Sequence, residues 1–314
     1  MELIRGLHNL RPRHRGCAAT IGNFDGVHLG HQEIFTVLKA RALALSVPEV
    51  AIIFEPQPAE YFAPEKAPAR LTRLREKLDT MRDCGVDRVL CLQFGAALAG
   101  MSSEDFIRRV LVEGLGVRHL AVGDDFRFGA QRRGDFEQLC RAGEELAFQV
   151  ERTPTVELGG ARISSTRVRS ALLEGDLAHA SKLLGREYTI CGRVAVGDRI
   201  GRKIGFRTVN IHLHRRLAPV KGVFVVRVHG AAARAVEGVA NVGHRPTVDG
   251  TRHQLEAHLF DYVGDLYGRH LRVEMLHRIR DEQRFTSLDA LKSQIQDDVG
   301  AARLWLAARS GKRV

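Results

Sequence analysis

The sequence predicts an α/β chain in which a doubly wound parallel-sheet domain is followed by a small antiparallel β-barrel domain with a C-terminal helix. Short apolar strands alternate with helical stretches through the first half, which is typical of a parallel sheet. After about residue 184 the pattern changes to short β-type runs separated by glycine-bearing turns, as in small barrels. The length of 314 residues is roughly twice that of an average domain and fits a division into residues 1–184 and 185–314.

In the first half, four apolar strands are each followed by a helical pattern. The predicted strands are residues 17–21, 50–54, 88–92 and 119–122, and the predicted helices are residues 28–45, 70–84, 103–115 and 136–143. Parallel sheets of this kind bind ligands at the carboxyl ends of their strands. We therefore expect a site in the loops that follow these strands.

The second half begins after a helical connector over residues 165–184, which is interrupted at Gly175-Asp176. The barrel strands predicted after it are residues 188–196, 223–228, 236–241, 254–260 and 271–276. A helix over residues 287–308 closes the chain, with Thr286 and Asp289 as a capping pair at its start.

The composition excludes several classes of protein. Hydrophobic residues make up 44 % of the chain and charged residues 27 %, which excludes a disordered or low-complexity protein. No stretch approaches about 18 consecutive apolar residues, and the first residues lack the apolar core of a secretory signal. We therefore expect a cytoplasmic protein without a membrane partner. Five scattered cysteines with no C-x-x-C pair indicate free thiols rather than disulfides or a zinc site.

The chain is strongly basic. Its net charge is +11, and 40 of its 48 basic residues are arginine. Nucleic-acid binding is one interpretation of such a charge. The arginines are spread along the sequence and form no block, so we expect no nucleic-acid partner. Attraction of polyanionic small molecules such as ATP is the simpler explanation.

A glycine-rich turn with two histidines follows the first predicted strand and opens a helix, with the sequence Gly22-Asn23-Phe24-Asp25-Gly26-Val27-His28-Leu29-Gly30-His31. Glycines allow the backbone to approach a ligand closely, and a helix start presents free N–H groups to an anion. His28 and His31 are three residues apart and lie on one face of the first helical turn. Two imidazoles there can stabilise charge on a phosphate and on its pyrophosphate leaving group. The alternative is a turn with two solvated histidines.

A run of hydroxyl residues stands at the start of a later helix. Ser164, Ser165 and Thr166 can cap that helix and bond phosphate oxygens, and Arg169 can act as a charge clamp at the same end. An ordinary helix cap with surface arginines is the alternative. Together with the histidine turn, this run indicates nucleotidyl transfer without a covalent protein intermediate. No G-x-x-x-x-G-K-[ST] sequence is present, which excludes a P-loop.

A second set of polar residues lies in the second half. Thr208 and Asn210 are hard oxygen donors that point to one side of an extended chain, where they could bind Mg²⁺ bridged to ATP phosphates. A hairpin with cross-strand polar groups is the alternative. Glu256 and His258 share one face of a predicted strand. Glu256 is either a general base for a primary alcohol or a solvated charge on the barrel exterior.

The histidine turn paired with Ser-Ser-Thr-x-x-Arg resembles the adenylyltransferases of the class I synthetase-like superfamily. More narrowly, four ordered segments resemble the bacterial bifunctional riboflavin kinase/FAD synthetases. These segments are Gly22 to His31, Phe54-Glu55-Pro56-Gln57-Pro58, Val122 to Gly129 and Ile163 to Arg169. The similarity continues to about Phe285 and covers nearly the whole chain, and the ordered set is far more specific than any one motif.

The resemblance implies two active sites with riboflavin, FMN and ATP as small-molecule substrates, FMN and FAD as products and Mg²⁺ as cofactor. In the first half it implies FMN adenylylation, with His28, His31 and Arg169 as catalytic residues. The ATP-binding residues would be Gly22, Asn23, Phe24, Asp25, His28, His31, Asp125, Ser164, Ser165, Thr166 and Arg169, and the flavin-side residues would be Pro56, Pro58 and Phe62.

In the second half the resemblance implies phosphorylation of riboflavin. ATP would be bound by Gly205, Phe206, Thr208 and Asn210, with Thr208 and Asn210 also holding Mg²⁺. Glu256 would be the catalytic base, and Arg280 would contact the flavin or a phosphate.

The chain departs from the family pattern at several positions. Arg207 stands where proline is usual, Val209 where alanine is usual, His244 where threonine is usual and Asp281 where proline is often found. Arg207 lies in the expected ATP-binding turn, so a second hypothesis keeps only FMN adenylylation and treats the barrel as a degenerate flavin-binding module. A third hypothesis is a basic RNA-binding protein with a synthetase-like fold. It ranks last because no lysine-rich K-M-S-K-S-like loop accompanies the histidine turn.

Overall fold

A computed structural model of the chain describes residues 1–123, 125–195, 205–247 and 250–310. The chain divides into two compact units, one formed by Met1–Pro68 with Thr72–Ser165 and the other by Ala69–Leu71 with Thr166–Val314. The first unit contains a six-stranded parallel sheet, and the second contains a closed six-stranded antiparallel barrel. The predicted fold class is thereby confirmed, whereas the predicted boundary between residues 184 and 185 stays a prediction.

The sheet of the first unit has the strand order β1-β4-β3-β2-β5-β6, with every neighbouring pair parallel. Its strands are β1 (Glu2–Arg5), β2 (Cys17–Ile21), β3 (Glu49–Glu55), β4 (Arg88–Gln93), β5 (Val117–Val122) and β6 (Gln149–Arg152). The four strands predicted from apolar runs occupy the four central positions. The edge strands β1 and β6 are short and partly exposed, so they carry too little apolar sequence to be predicted.

Helices connect these strands and cover the sheet. They are α1 (Leu29–Leu45), α2 (Pro58–Phe62), α3 (Leu74–Asp83), α4 (Ala96–Ala99), α5 (Ser103–Phe106) and α6 (Phe136–Leu146). The helix predicted over residues 70–84 begins only at Leu74, because the Glu76 carboxylate accepts a hydrogen bond from the Arg73 N–H at 2.6 Å and caps the helix there. The helix predicted over residues 103–115 starts as α5 and continues as a π-helix over Ile107–Gly114.

Both faces of the sheet are buried, which explains why its central strands are continuous apolar runs. In β3, Val50 and Ile52 pack into one apolar cluster, whereas Ala51 and Ile53 pack into another. A short hairpin, β7 (Glu157–Leu158) with β8 (Ala161–Arg162), follows the sheet.

The connector forms α7 (Ser165–Glu174), which belongs to the second unit from Thr166 onward, and α8 (Leu177–Leu184). The predicted interruption is confirmed: Gly175 adopts a left-handed φ of 80°, and the Asp176 side chain caps α8 by accepting from the His179 N–H at 2.9 Å.

The barrel closes in the order β10-β13-β12-β11-β14-β9. Its strands are β9 (Tyr188–Ala195), β10 (Thr208–His212), β11 (Gly222–His229), β12 (Val236–Thr247), β13 (Gly250–Leu259) and β14 (His270–Arg280). Helix α9 (Leu288–Ser310) follows. The predicted cap at Thr286 is wrong by one residue, because Ser287 Oγ accepts from the Ala290 N–H at 3.1 Å.

Alternate residues of the barrel strands face the interior and the outer surface. Leu255 and Ala257 in β13 are completely buried, whereas Glu256 between them is only partly buried. Part of the outer surface is apolar and packs against α9, through residues that include Val223, Val225, Val239, Ala302 and Leu306. Among the helices of the described ranges, none has both the length and the apolar character needed to cross a membrane.

Candidate active sites

A cavity of about 410 Å³ opens at the carboxyl edge of the parallel sheet. It lies beside the ends of β2 and β5, which are neighbours in the sheet although the chain goes from β2 to β3 on the opposite side. This is the topological switch point at which open α/β sheets bind ligands. Gly22 and Gly123, the first residues after these two strands, both line the cavity.

The two histidines of the glycine-rich turn are stacked at the cavity. His28 caps α1 with its Nδ1, which accepts from the His31 N–H at 3.3 Å, and the two ring centroids are 3.6 Å apart with planes 19° apart. A Cβ on Gly30 would lie 3.2 Å from the His28 ring, so glycine leaves room for this imidazole. The predicted grouping of His28 and His31 on one face is observed, which does not fit two freely solvated side chains.

The turn before α1 is held in an uncommon backbone conformation. Phe24 and Val27 adopt left-handed φ values of 46° and 43°, which are rare for bulky and β-branched residues. Phe24 is buried and its ring lies 5.0 Å from that of Phe35, so packing holds the turn. Asp25 is also buried: its Oδ1 accepts from both the N–H and the hydroxyl of Thr72, at 3.0 and 3.2 Å. The exposed Asn23 lines the cavity with them.

The hydroxyl run approaches the same turn. Ser164 and Ser165 line the cavity, and Ser165 Oγ donates to the Asp25 carbonyl oxygen at 2.8 Å. Thr166 and Arg169 belong to the second compact unit, in which Arg169 Nε donates to the Ala69 carbonyl oxygen at 2.7 Å. Their expected action on the first site therefore stays a prediction.

One cation at the cavity was not expected from the sequence. Arg162, at the end of β8, donates to Asp125 Oδ1 at 3.0 Å, and both side chains line the cavity. Asp125 had been expected near the phosphates, and Arg162 now supplies a positive charge beside it. Nothing in the sequence around Arg162 separates it from the many other arginines of the chain.

An aromatic cluster follows the carboxyl ends of β3 and β4. Phe94 lies at its centre, with ring centroids 5.6 Å from Tyr61, 5.6 Å from Phe62 and 5.8 Å from Phe54. Phe62 is 64 % exposed, so the cluster offers an open aromatic face. Pro56 and Pro58 precede this face, and Pro58 is the first residue of α2. Pro56, Pro58 and Phe62 were expected on the flavin side, whereas Tyr61 and Phe94 were not expected from the sequence.

In the second unit, the predicted metal ligands and base lie on one face of the barrel. Thr208 and Asn210 are in β10, where Asn210 pairs directly with Glu256 of β13 and Thr208 pairs with His258. Directly opposed residues of antiparallel strands point to the same face, with Cβ atoms about 4.5–5.5 Å apart. The sequence predicted Thr208 and Asn210 on one strand and Glu256 and His258 on another. The strand register brings these four residues together.

Two amide side chains beside Glu256 were missed. Gln254 is 5 % exposed, and its Nε2 donates to Asn210 Oδ1 and, at 3.1 Å, to Glu256 Oε1. Asn241 of β12 pairs with Glu256 on its other side, and its buried Oδ1 accepts no hydrogen bond from any residue that the structure describes. The alternation of side chains along β13 places Gln254 on the same face as Glu256. The sequence does not show which strands lie beside β13.

The turn that leads into β10 is only partly described, because residues 201–204 lie outside the described residues. Gly205 adopts a left-handed φ of 88°, and the Phe206 ring lies edge-on to His258 with centroids 5.2 Å apart. His258 Nδ1 is 2.9 Å from the carbonyl oxygen of Arg207, whose side chain is exposed. The His244 side chain lies outside the described residues.

Arg280 is the last residue of β14 and forms a bidentate ion pair with α9. Its Nε and Nη2 donate to the two carboxylate oxygens of the buried Asp298, at 2.8 and 2.7 Å. The guanidinium also lies 5.8 Å from the Phe285 ring centroid. This pair attaches α9 to the barrel, so a flavin or phosphate contact by Arg280 stays a prediction.

Two family models and several curated proteins match this chain. The sequence model of the FAD synthetase family matches residues 10–167, and that of the riboflavin kinase family matches residues 184–306. A curated bifunctional riboflavin kinase/FMN adenylyltransferase from Pseudomonas fluorescens is 54 % identical over 100 % of both chains. Relatives of the same description from Escherichia coli (strain K12) and Haemophilus influenzae are 53 % and 46 % identical, covering 96 % of this chain and 97 % and 98 % of theirs.

Among solved structures, the crystal structure of a macrolide-efflux protein from Streptococcus pneumoniae is similar, with a TM-score of 0.81 and 29 % identity over 96 % of this chain and 99 % of that one. The two family models match separate parts of the chain, and the identity to the Pseudomonas fluorescens relative extends along its full length. The chain belongs to the family of bifunctional riboflavin kinase/FMN adenylyltransferases.

Proposed function

We propose that this chain catalyses two successive steps of flavin cofactor synthesis. Riboflavin and ATP give FMN and ADP in the barrel unit, and FMN and ATP give FAD and pyrophosphate in the sheet unit. The observation that carries the proposal is that each unit has its own chemically distinct polar site. Stacked imidazoles line a cavity at the switch point of the sheet, and a paired amide and carboxylate lie on the barrel.

Adenylyl transfer needs charge stabilisation rather than a protein nucleophile. A phosphate oxygen of FMN attacks the α-phosphorus of ATP, the bond to the bridging oxygen breaks, and pyrophosphate leaves. Imidazole N–H groups of His28 and His31 donate to the phosphate oxygens on which negative charge grows, and the guanidinium of Arg162 adds positive charge. Ser164, Ser165 and the backbone after β2 hold the nucleotide in place.

The flavin of the adenylylation step is assigned to the aromatic cluster around Phe94. An isoalloxazine ring is flat and largely apolar, so it suits the exposed ring of Phe62, which makes an edge-to-face contact with the ring of Phe94. Pro56 and Pro58 stiffen the loop that carries this face. This assignment leaves the cavity at His28 and His31 to the phosphates.

The barrel residues fit a magnesium ion bound to ATP. The Thr208 hydroxyl and the Asn210 carbonyl oxygen are hard donors on one face of β10. The Asn210 oxygen has two lone pairs, and Gln254 uses only one of them, which leaves the other for an ion. When bound, Mg²⁺ neutralises charge on the β- and γ-phosphates.

Glu256 is the proposed base of the kinase step. Its carboxylate accepts the proton of the primary ribityl hydroxyl as the oxygen attacks the γ-phosphorus, and ADP leaves. The partial burial of Glu256 beside Asn210 and Asn241 supports this role more than that of a solvated charge.

Product analysis tests both steps at once. The purified chain is incubated with riboflavin, ATP and Mg²⁺, and the flavins are separated by chromatography. We expect FMN to form first and FAD to form later. FAD that forms only when FMN is supplied would favour the hypothesis of FMN adenylylation with a degenerate barrel. Absence of FAD under both conditions would refute the proposal for the sheet unit.

A further inference from the structure

Gln254 lies between Asn210 and Glu256 in the proposed kinase site, although no step of the reaction has been assigned to it. It is in β13, two residues before Glu256, and therefore lies on the same face of that strand. Its side chain is almost completely buried, at 5 % exposure. Its Nε2 donates to Asn210 Oδ1 and to Glu256 Oε1.

The two acceptors that Gln254 joins need a donor between them. Asn210 and Glu256 are directly opposed across β10 and β13, so a carbonyl oxygen and a carboxylate approach each other there. Both are acceptors, and two facing acceptors repel. A primary amide carries two N–H donors on one nitrogen, which matches two acceptors on one side. One Gln254 amide can thus satisfy both and fix their relative orientation.

We propose that Gln254 is a positioning residue of the kinase site, where its amide holds the Asn210 metal ligand and the Glu256 base in one hydrogen-bonded unit. The inference rests on the proposed kinase function. Gln254 touches neither the phosphate nor the proton in transit, and it acts through the two residues that do. A base must lie within hydrogen-bond reach of its proton, so loss of this orientation slows the chemical step more than it weakens riboflavin binding.

Gln254→Met tests the proposal, because methionine keeps the length of the unbranched side chain and removes both donors. We expect the kcat of FMN formation to fall about 10- to 100-fold, while the KM for riboflavin changes less than about threefold. MgADP binding, measured by titration calorimetry, should weaken because Asn210 is no longer oriented. Gln254→Glu keeps the shape but puts a third acceptor beside the other two, so its kcat should fall at least as far.

The chain provides its own controls. FAD formation from supplied FMN depends on the other unit and should stay within about twofold in both variants. Gln296→Met makes the same chemical change on an exposed position of α9 and should keep the wild-type kinase rate. Thermal unfolding of each variant shows whether the barrel is still folded under the assay conditions.

The possible outcomes are distinct. Wild-type kcat in Gln254→Met, or in Gln254→Glu if the methionine variant unfolds, would overturn the positioning role. A rise in the KM for riboflavin with unchanged kcat would also overturn it, because the amide would then serve binding. A wild-type chain that forms no FMN would overturn the kinase function and this inference with it.

Discussion

Glu49 is a buried carboxyl group whose ionisation should set the pH dependence of the stability of the sheet unit. It is the first residue of β3, on the edge opposite the cavity, and is only 3 % exposed. Its Oε2 accepts no hydrogen bond from any described residue. Burial and the nearby negative charge of Asp87 raise the pKa of Glu49 from 4.5 to about 7, although Lys39 and a backbone hydrogen bond from Asp87 oppose the change.

The sign and size of the effect follow from proton binding. Between pH 4.5 and about 7 the unfolded chain loses the Glu49 proton while the folded chain keeps it, so the free energy of unfolding falls as the pH rises. Above about pH 7 both states are ionised and the loss levels off. At about 1.4 kcal/mol per pH unit, the total loss between pH 4.5 and about 7 is about 3.5 kcal/mol. Glu49→Gln removes the ionisation, so it should be more stable than wild type at high pH.

Urea unfolding of the full chain provides the assay, with circular dichroism following both units. Fluorescence of Trp305, the single tryptophan, reports on the barrel unit through α9. The stability advantage of Glu49→Gln should grow by about 2 kcal/mol between pH 5.5 and pH 8.0, while the Trp305 transition stays unchanged. Glu145→Gln, on an exposed position of α6, is the matched control. An advantage of Glu49→Gln that is equal at the two pH values would refute the reasoning.

Four further predictions concern activity. His31→Ala should lower FAD formation from FMN by about 10²-fold and leave FMN formation from riboflavin unchanged, and equal loss of both activities would contradict separate sites. Glu256→Gln should lower kinase turnover by about 10²- to 10⁴-fold with MgADP binding retained in calorimetry, and a wild-type rate would falsify its role as base. Phe94→Ala should raise the KM for FMN in adenylylation by about tenfold without changing the KM for riboflavin in the kinase assay, and an unchanged KM for FMN would rule out the aromatic cluster as the flavin site. Arg207→Pro should change the kinase KM for ATP by less than about tenfold, because proline at this position contributes only about 0.4–1 kcal/mol, and FMN formation by this variant alone would favour the degenerate-barrel hypothesis.

Local patterns in the sequence were enough to predict the central architecture and to group several candidate site residues. Strands buried on both faces must be apolar throughout, so the four central strands of the sheet are visible as short apolar runs between helices. The spacing of His28 and His31 places them on one helical turn, and the alternation of a strand places Glu256 on one face. These features depend on the geometry of one element, and one element is what a sequence pattern describes.

Tertiary structure decided which elements became neighbours. Arg162 meets Asp125, and Gln254 reaches Asn210, because of a hairpin position and a strand register that distant parts of the chain determine. The same holds for Phe94, which follows β4 and contacts aromatic rings of β3 and α2, and for Arg280, whose partner Asp298 lies on α9. In each case the contact joins side chains of separate elements, and the free energy that selects it comes from the packing of the whole unit. No local spacing carries that information, so these contacts become visible only in the folded chain.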